Sequence, residues 1–335
     1  MASLPELLQS PLDALGLIRP VAPGASVVSV ASCFPDREVS TDEIAAPLGI
    51  EPDWLVRRTG VEHRRRAADG ERLSDLAATA ATDALNKAGV DAGEVDLVIV
   101  ATMTPDDLTP HTAAVVAAGI GAHRAGALDV NAACTGFLAA LSMAVGQVES
   151  SRARTVVVVG ADIMSRVLDY GDRVTAGIFG DGAGAVVVRA VEGASLVGPF
   201  ILESDGAEGD AILTPRPSGP VIMDGQRTFR RAVDALVDVA HRATAQAGVA
   251  VDQLDLAVLH QANARITRAV SERLGLPAER VVDCIARMGN TTSASLPTAL
   301  AHAEQDGTLR PGARVLVAAF GAGLSWGGTV LIWNG

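Results

Sequence analysis

A repeat spaced by 159 residues constrains this chain of 335 more than any other feature. Ala88-Gly89-Val90 is followed, four residues on, by Val95-Asp96-Leu97, and Ala247-Gly248-Val249 is followed in the same way by Leu254-Asp255-Leu256. The spacing is 248 − 89 = 159 at the glycine and 255 − 96 = 159 at the aspartate. In each copy the glycine reads as the residue just past a helix end, where left-handed backbone is wanted. An apolar strand follows, over 97–101 and 256–259. Cys134 displaced by 159 falls on Ser293, in Asn290-Thr291-Thr292-Ser293-Ala294-Ser295-Leu296, and an Ala/Leu helical run follows both. Ala153-Arg154 before the strand-like 155–159 matches Ala313-Arg314 before 315–319, here at a spacing of 160. Near-constant spacing at several landmarks is the signature of duplication.

The chain therefore reads as two copies of one α/β unit, 25–195 and 196–335, behind an N-terminal extension, 1–24. Apolar runs without polar alternation, such as 155–159, are strands buried on both faces, which predicts a largely parallel sheet covered by helices. In the extension, 10–15 reads as a short amphipathic helix ending before Pro20, either a docking arm or a disordered tail.

Composition removes several function classes. An apolar fraction of 49% supports a large core, while a net charge of −12 argues against a general nucleic-acid binder. An acidic partner would need a local basic patch. Cys33, Cys134 and Cys284 form no CxxC pair and no metal-type spacing, so no metal site is expected and a reducing compartment suits them. No run of 18 apolar residues exists, and no Lys or Arg precedes Arg19, so the expectation is a cytoplasmic protein without a membrane span or signal peptide.

The chemistry centres on Asn131-Ala132-Ala133-Cys134-Thr135-Gly136-Phe137, where an apolar strand, a bend and an Ala-rich helix meet. A cysteine at a helix start faces first-turn N–H groups and the positive end of the dipole, which favours thiolate and a nucleophilic role. The alternative is a small buried cysteine in an Ala-rich core. In the second copy His260 ends the strand 256–259, Asn290 sits in Gly289-Asn290-Thr291-Thr292, and Phe320-Gly321-Ala322-Gly323-Leu324 ends the last strand. Ligands bind at such strand ends in α/β sheets. Taken singly, a histidine such as His260 is more often structural and an Asn-Thr-Thr such as that at Asn290 more often a turn or helix cap; the combination shifts the reading. A pseudo-twofold between the copies would bring Cys134, His260 and Asn290 into one cleft. There a thiolate could take an acyl group from a thioester, and two neutral donors could steady an enolate. The backbone N–H groups of Cys134 and of the Gly321-Ala322-Gly323 loop are the expected oxyanion hole.

These motifs resemble β-ketoacyl-acyl carrier protein synthase III, an initiating condensing enzyme of thiolase-like fold, from about residue 25 to the end. The resemblance is carried by 54–61, Ala132-Ala133-Cys134-Thr135-Gly136-Phe137, 179–185, 260–266, 289–295 and 320–327. It implies two pseudo-symmetric α/β halves in an α-β-α-β-α arrangement. It implies that Cys134 is acylated from an acyl-CoA primer, and that His260 and Asn290 promote decarboxylation of malonyl-acyl carrier protein. It places Trp54 and Arg173 around the CoA adenine, Arg58 at a CoA phosphate, Asn263 near the pantetheine arm, and Phe179 and Thr109 at the primer pocket. It implies carrier-protein docking by Arg230, Arg265, Arg268 and Arg273, although Glu272 stands where a second lysine is common. It implies a homodimer whose interface strand lies around 125–131, and no cofactor beyond coenzyme A as thioester substrate. Thr109 replaces the Phe of acetyl-primed members, so the likeness is closer to actinobacterial or polyketide-priming members with longer or branched primers. Two other readings compete. One is an acyltransferase of the same fold that passes the acyl group to an alcohol or amine. The other is an inactive partner subunit, which the intact Cys134, His260 and Asn290 disfavour.

Overall fold

The computed structural model describes residues 22–215 and 219–335, so the helix expected at 10–15 lies outside the described residues. Nine strands form two main sheets. In the first half they are β1 (Gly24–Cys33), β2 (Leu97–Ala101), β3 (Gly126–Val130), β4 (Thr155–Asp162) and β5 (Gly182–Val191), in spatial order β1-β5-β4-β2-β3. In the second half β6 (Ile201–Ser204), β7 (Leu256–Leu259), β8 (Arg314–Gly321) and β9 (Ser325–Ile332) order as β7-β8-β9-β6. Six helices matter for the site: α1 (Pro52–Thr59), α2 (Leu73–Ala88), α3 (Gly136–Glu149), α4 (Gly225–Gln246), α5 (Ala264–Leu274) and α6 (Ser295–Gln305).

Strand alternation shows how five layers arise. On β4, Val156 and Val158 join a central core with Phe137, Leu138 and Leu141 of α3 and Leu296 and Leu300 of α6. Val157 and Val159, on the other face of the same strand, pack with Leu73, Leu76 and Leu85 of α2. On β8, Val315 and Val317 enter the central core, and Leu316 and Ala318 enter an outer core with Leu236 and Val239 of α4. Strands with helices on both faces gain nothing from polar alternation, which explains the continuous valine runs. Each buried Leu or Phe contributes roughly 1.5–3 kcal/mol, and those of α3 and α6 hold the two halves together through one core.

Two expectations need correction. The sheets are mixed: β2 pairs parallel with β3 and β4, but β5 is antiparallel to both β1 and β4. In the second sheet only β7–β8 is parallel. The turn from β8 to β9, Ala322 to Leu324, is far too short for a crossover, so those strands must run antiparallel. Apolar runs report burial on both faces, not direction. The Ala-Arg match at 160 is also one residue off the structural repeat. Leu97 pairs with Val156 and Leu256 with Val315, so both strands shift by 159 (256 − 97 and 315 − 156). A slip of one would invert every side chain between faces.

Candidate active site

Two elbows, one per half, organise the site. Ala133 at φ +45 and Thr292 at φ +49 are 159 residues apart, and neither is glycine. Left-handed backbone costs a residue with a Cβ roughly 1–2 kcal/mol, so both bends are held by their surroundings. Part of the hold is local: Asn131 Oδ1 accepts the Ala133 N–H at 3.3 Å, and Asn290 Oδ1 accepts the Thr292 N–H at 2.9 Å. Each bend runs through a single 3-10 turn, Ala133–Thr135 or Thr292–Ala294, into α3 or α6. The first turn carries Cys134 and the second carries Ser293.

The end of β8 meets the first elbow. A Cβ on Gly321 would stand 2.5 Å from the Cys134 Cβ and 3.0 Å from its Sγ, so only glycine permits this approach. The Ala322 and Cys134 N–H groups both favour the anionic form of the sulfur, and they are the pair of donors expected there. The turn behind them is braced by Thr135 Oγ1 and Ser325 Oγ at 2.8 Å and by Ser325 Oγ donating to the Ala322 carbonyl at 2.8 Å. The expected thiolate, however, is not what this environment favours. Burial, with the Asp162 charge adding to it, pushes the Cys134 thiol up to about 12, against the two N–H groups that lower it. Cys134 is only 9% exposed, and desolvation of the anion outweighs two hydrogen bonds and a helix end.

His260 follows β7, and its N–H donates to the Ala318 carbonyl of β8 at 2.8 Å. Its neighbour Gln261 is fully engaged: its side-chain NH2 donates to the Leu259 and Val282 carbonyls, and its Oε1 accepts the Cys284 N–H. The imidazole itself is buried, and among the described residues neither ring nitrogen has a hydrogen-bond partner. Burial drives its pKa down to about 3, so it is neutral. A buried ring with two unmet polar atoms is costly unless a ligand meets one.

Asn290 does not end a strand, as was expected. Residues 285–288 form a helical turn, and Gly289 at φ +64 reverses the chain into Asn290. The counterpart of β3 is therefore missing from the second sheet. The backbone is fixed instead by a parallel bridge to Phe179: the Asn290 N–H donates to the Ile178 carbonyl at 2.9 Å and its carbonyl accepts the Gly180 N–H at 3.0 Å. The side chain does cap a turn, and the cap uses its oxygen, which leaves the NH2 end as a donor.

A cavity of about 770 Å³ opens beside this cluster, with Ile178 and Ala262 in its wall. Trp54, Arg58, Arg173 and Asn263 all line it, which brings the residues expected at CoA into one place. The Arg58 guanidinium stacks 4.6 Å over the Trp54 ring, and Asn263 Nδ2 donates to the Arg58 carbonyl at 2.9 Å. Arg265 also lines the cavity and sits 5.2 Å over the Phe229 ring. Three guanidinium groups and an indole face suit an anionic, adenine-bearing ligand. Thr109 is exposed and outside this wall, and Phe179 is buried and also outside it, packed with Met164 and Val221.

Of the expected docking arginines, Arg230, Arg265 and Arg268 are exposed and in no ion pair among the described residues. Arg273 differs, since it is paired with Asp234 at 2.6 Å. Sequence reasoning missed Asp162, a fully buried acid that closes β4. Its signal was present: an acidic residue ending an otherwise apolar run. Among the described residues there is no cluster of three or more His, Cys, Asp or Glu placed to hold a metal, and no helix long and apolar enough to cross a membrane.

Comparison with known proteins points to one family. Two sequence signatures described as 3-oxoacyl-(acyl-carrier-protein) synthase III match residues 128–206 and, for the C-terminal part, 244–333. A β-ketoacyl-acyl-carrier-protein synthase III of Streptomyces coelicolor is 43% identical over 92% of this chain and 97% of its own. The crystal structure of the 3-oxoacyl-(acyl carrier protein) synthase III of Pseudomonas aeruginosa superposes with a TM-score of 0.89 at 42% identity, covering 93% of this chain and 99% of that one. A priming β-ketosynthase from a polyketide biosynthetic pathway superposes with a TM-score of 0.90 at 38% identity, covering 95% and 98%.

Proposed function

The chain belongs to the 3-oxoacyl-(acyl-carrier-protein) synthase III family, and from that premise we propose how its residues share the work. It is an acyltransferase of thiolase-like fold that condenses an acyl primer with malonyl-acyl carrier protein, releasing carbon dioxide. In the first half-reaction the Cys134 sulfur attacks the carbonyl of an acyl-CoA. The tetrahedral oxyanion is met by the N–H groups of Cys134 and Ala322. Collapse expels the CoA sulfur, which leaves carrying the proton that Cys134 loses. In the second, malonyl-acyl carrier protein loses carbon dioxide, and the enolate oxygen accepts hydrogen bonds from neutral His260 and from the Asn290 NH2. The enolate carbon attacks the acyl-Cys134 carbonyl, the tetrahedral intermediate expels the cysteine sulfur as a thiolate, and a proton taken up from solvent returns it to the thiol.

The observation that carries this reading is the unpartnered imidazole of His260 at the end of the strand whose neighbour, β8, is pressed against Cys134. A neutral donor there fits enolate stabilisation, because a charged imidazolium would be paid for twice in such a dry site. Trp54, Arg58 and Arg173 hold the nucleotide end of CoA in the cavity, and Asn263 stands beside the pantetheine arm. Arg230, Arg265 and Arg268 face an acidic carrier protein, which gives an overall acidic chain a local basic patch. No resident cofactor enters these steps, and the setting is the cytoplasm. The half-buried edge strand β3 is the natural surface for a second copy. In that dimer Thr109 would border the partner's primer pocket and leave room where a phenylalanine would fill it.

Intact-mass measurement after incubation with an acyl-CoA panel tests the assignment. The expected result is one acyl group on wild type, none on Cys134→Ala, and loading of branched or longer primers as well as acetyl. Strict acetyl loading would refute the primer assignment, and acylation of Cys134→Ala would refute the nucleophile.

A further inference from the structure

The 159-residue repeat exposes an asymmetry between the two elbows. Position for position, Cys134 corresponds to Ser293, His260 to Ala101, and Gly321 to Asp162 (134 + 159, 101 + 159 and 162 + 159). In the reactive elbow the strand end opposite the nucleophile is a glycine, so no side chain there takes the sulfur. In the other elbow the same place holds a carboxylate, which takes the serine. Asp162 Oδ2 accepts the Ser293 Oγ–H at 2.6 Å and the Ser293 N–H at 3.1 Å. Ser293 Oγ also lies 2.8 Å from the Ala101 carbonyl. The second carboxylate oxygen, Oδ1, accepts Thr102 Oγ1 at 3.0 Å, the Met103 N–H at 2.9 Å, and Thr104 through both N–H and Oγ1 at 3.2 and 2.9 Å. Asp162 is fully buried and no cation pairs with it among the described residues. Six donors from two halves therefore converge on one side chain.

We propose that Asp162 is a positioning residue for condensation: it ties the elbow that carries Asn290 to the ends of β2 and β4, so that the Asn290 NH2 stands where enolate charge develops. This rests on the assignment of Asn290 to the condensation step. The geometry supports it in two ways. Ser293 lies one turn after Asn290, and the bend between them holds the left-handed Thr292, so an elbow without an anchor would relax. The strand ends on the other side of Asp162 lead directly into the first half, which supplies Cys134. One side chain thus sets the spacing between the two parts of the site. Gly160 lets the elbow come this close, since a Cβ there would stand 2.2 Å from the Ser293 carbonyl oxygen. The nearness of Asp162 to Cys134 adds a second effect, because the carboxylate charge opposes ionisation of the thiol.

The test measures the two half-reactions separately in Asp162→Asn, Ser293→Ala and Asn290→Ala. Asp162→Asn keeps the shape but turns one acceptor oxygen into a donor facing other donors. The expected result is a loss of about 100-fold in carbon dioxide release from malonyl-acyl carrier protein, the size typical of a misplaced catalytic group. Acylation of Cys134 by acyl-CoA should stay near wild type, and the pH profile of Cys134 alkylation should move to lower pH. Ser293→Ala, which removes one donation and is the milder change if Asp162→Asn does not fold, should show a smaller loss in the same half-reaction with an unmoved alkylation profile. Equal loss of both half-reactions in either folded variant, or no loss in either, would overturn the proposal. If instead Asn290→Ala condenses normally, the functional reading itself fails and takes the proposal with it.

Discussion

At Cys134 burial and hydrogen bonding pull one sulfur in opposite directions, and burial wins. The resting nucleophile is a thiol, so acylation must move a proton as well as an acyl group. At His260 burial acts on the opposite charge type and gives a ring that is neutral across physiological pH. That has a consequence for stability. The unfolded imidazole takes a proton near pH 6.5, while the folded one does not until about pH 3. The unfolded state then binds more protons throughout that window, so stability falls as pH falls through it. Between pH 7.5 and 5 this single group accounts for about 2 kcal/mol of lost stability. Urea unfolding of wild type and His260→Ala at the two pH values should show that the variant loses less by about this amount; equal losses would mean that the ring is protonated in the fold. Cys134 and His260 were legible because each interrupts an apolar or repeated pattern, and Asn290 because it stands in the segment that repeats the one around Cys134. The thiol's ionisation was not, since desolvation depends on what the other half places over the sulfur. Asp162 was overlooked because a lone acid at a strand end carries meaning only once Ser293 is seen against it.

The elements show which parts of a pattern survive duplication. Strand and helix positions were readable because the 159 spacing is kept in β2 and β7, in β4 and β8, and in α3 and α6. Strand direction was not readable, because helices on both faces erase the alternation that would reveal it. The segment between β4 and β5 also escapes the repeat. It runs from 163 to 181, whereas its counterpart between β8 and β9 runs only from 322 to 324. The longer segment supplies Arg173 to the cavity and Ile178, Phe179 and Gly180 to the backbone of Asn290. At the opposite wall α5 begins with Asn263 capping the Arg265 N–H at 2.9 Å, and Arg265 and Arg268 lie on one exposed face of that helix. Reversing the charge there should separate the two substrates. Arg265→Glu is expected to raise KM for malonyl-acyl carrier protein about tenfold or more, the scale of losing one close charge pair and gaining a repulsive one. Acylation from acyl-CoA should be less affected. Steady-state kinetics with each substrate varied in turn would show it, and equal loss for both would count against a docking role of Arg265 for the carrier protein.

Across the whole molecule, two sheets share one core through α3 and α6, and the chemistry lies along the seam. One half contributes the acyl-carrying cysteine, the other the enolate donors, and the elbow equivalent to that of Cys134 is held by the Asp162–Ser293 pair. The most direct test of this division is a single-turnover experiment with acyl-Cys134 formed first, excess CoA removed, and malonyl-acyl carrier protein then added while carbon dioxide and protein mass are followed. The account predicts that His260→Ala and Asn290→Ala load the acyl group but hold it, with carbon dioxide release reduced by about 100-fold or more. Failure of these variants to load the acyl group, or unimpaired carbon dioxide release, would contradict it.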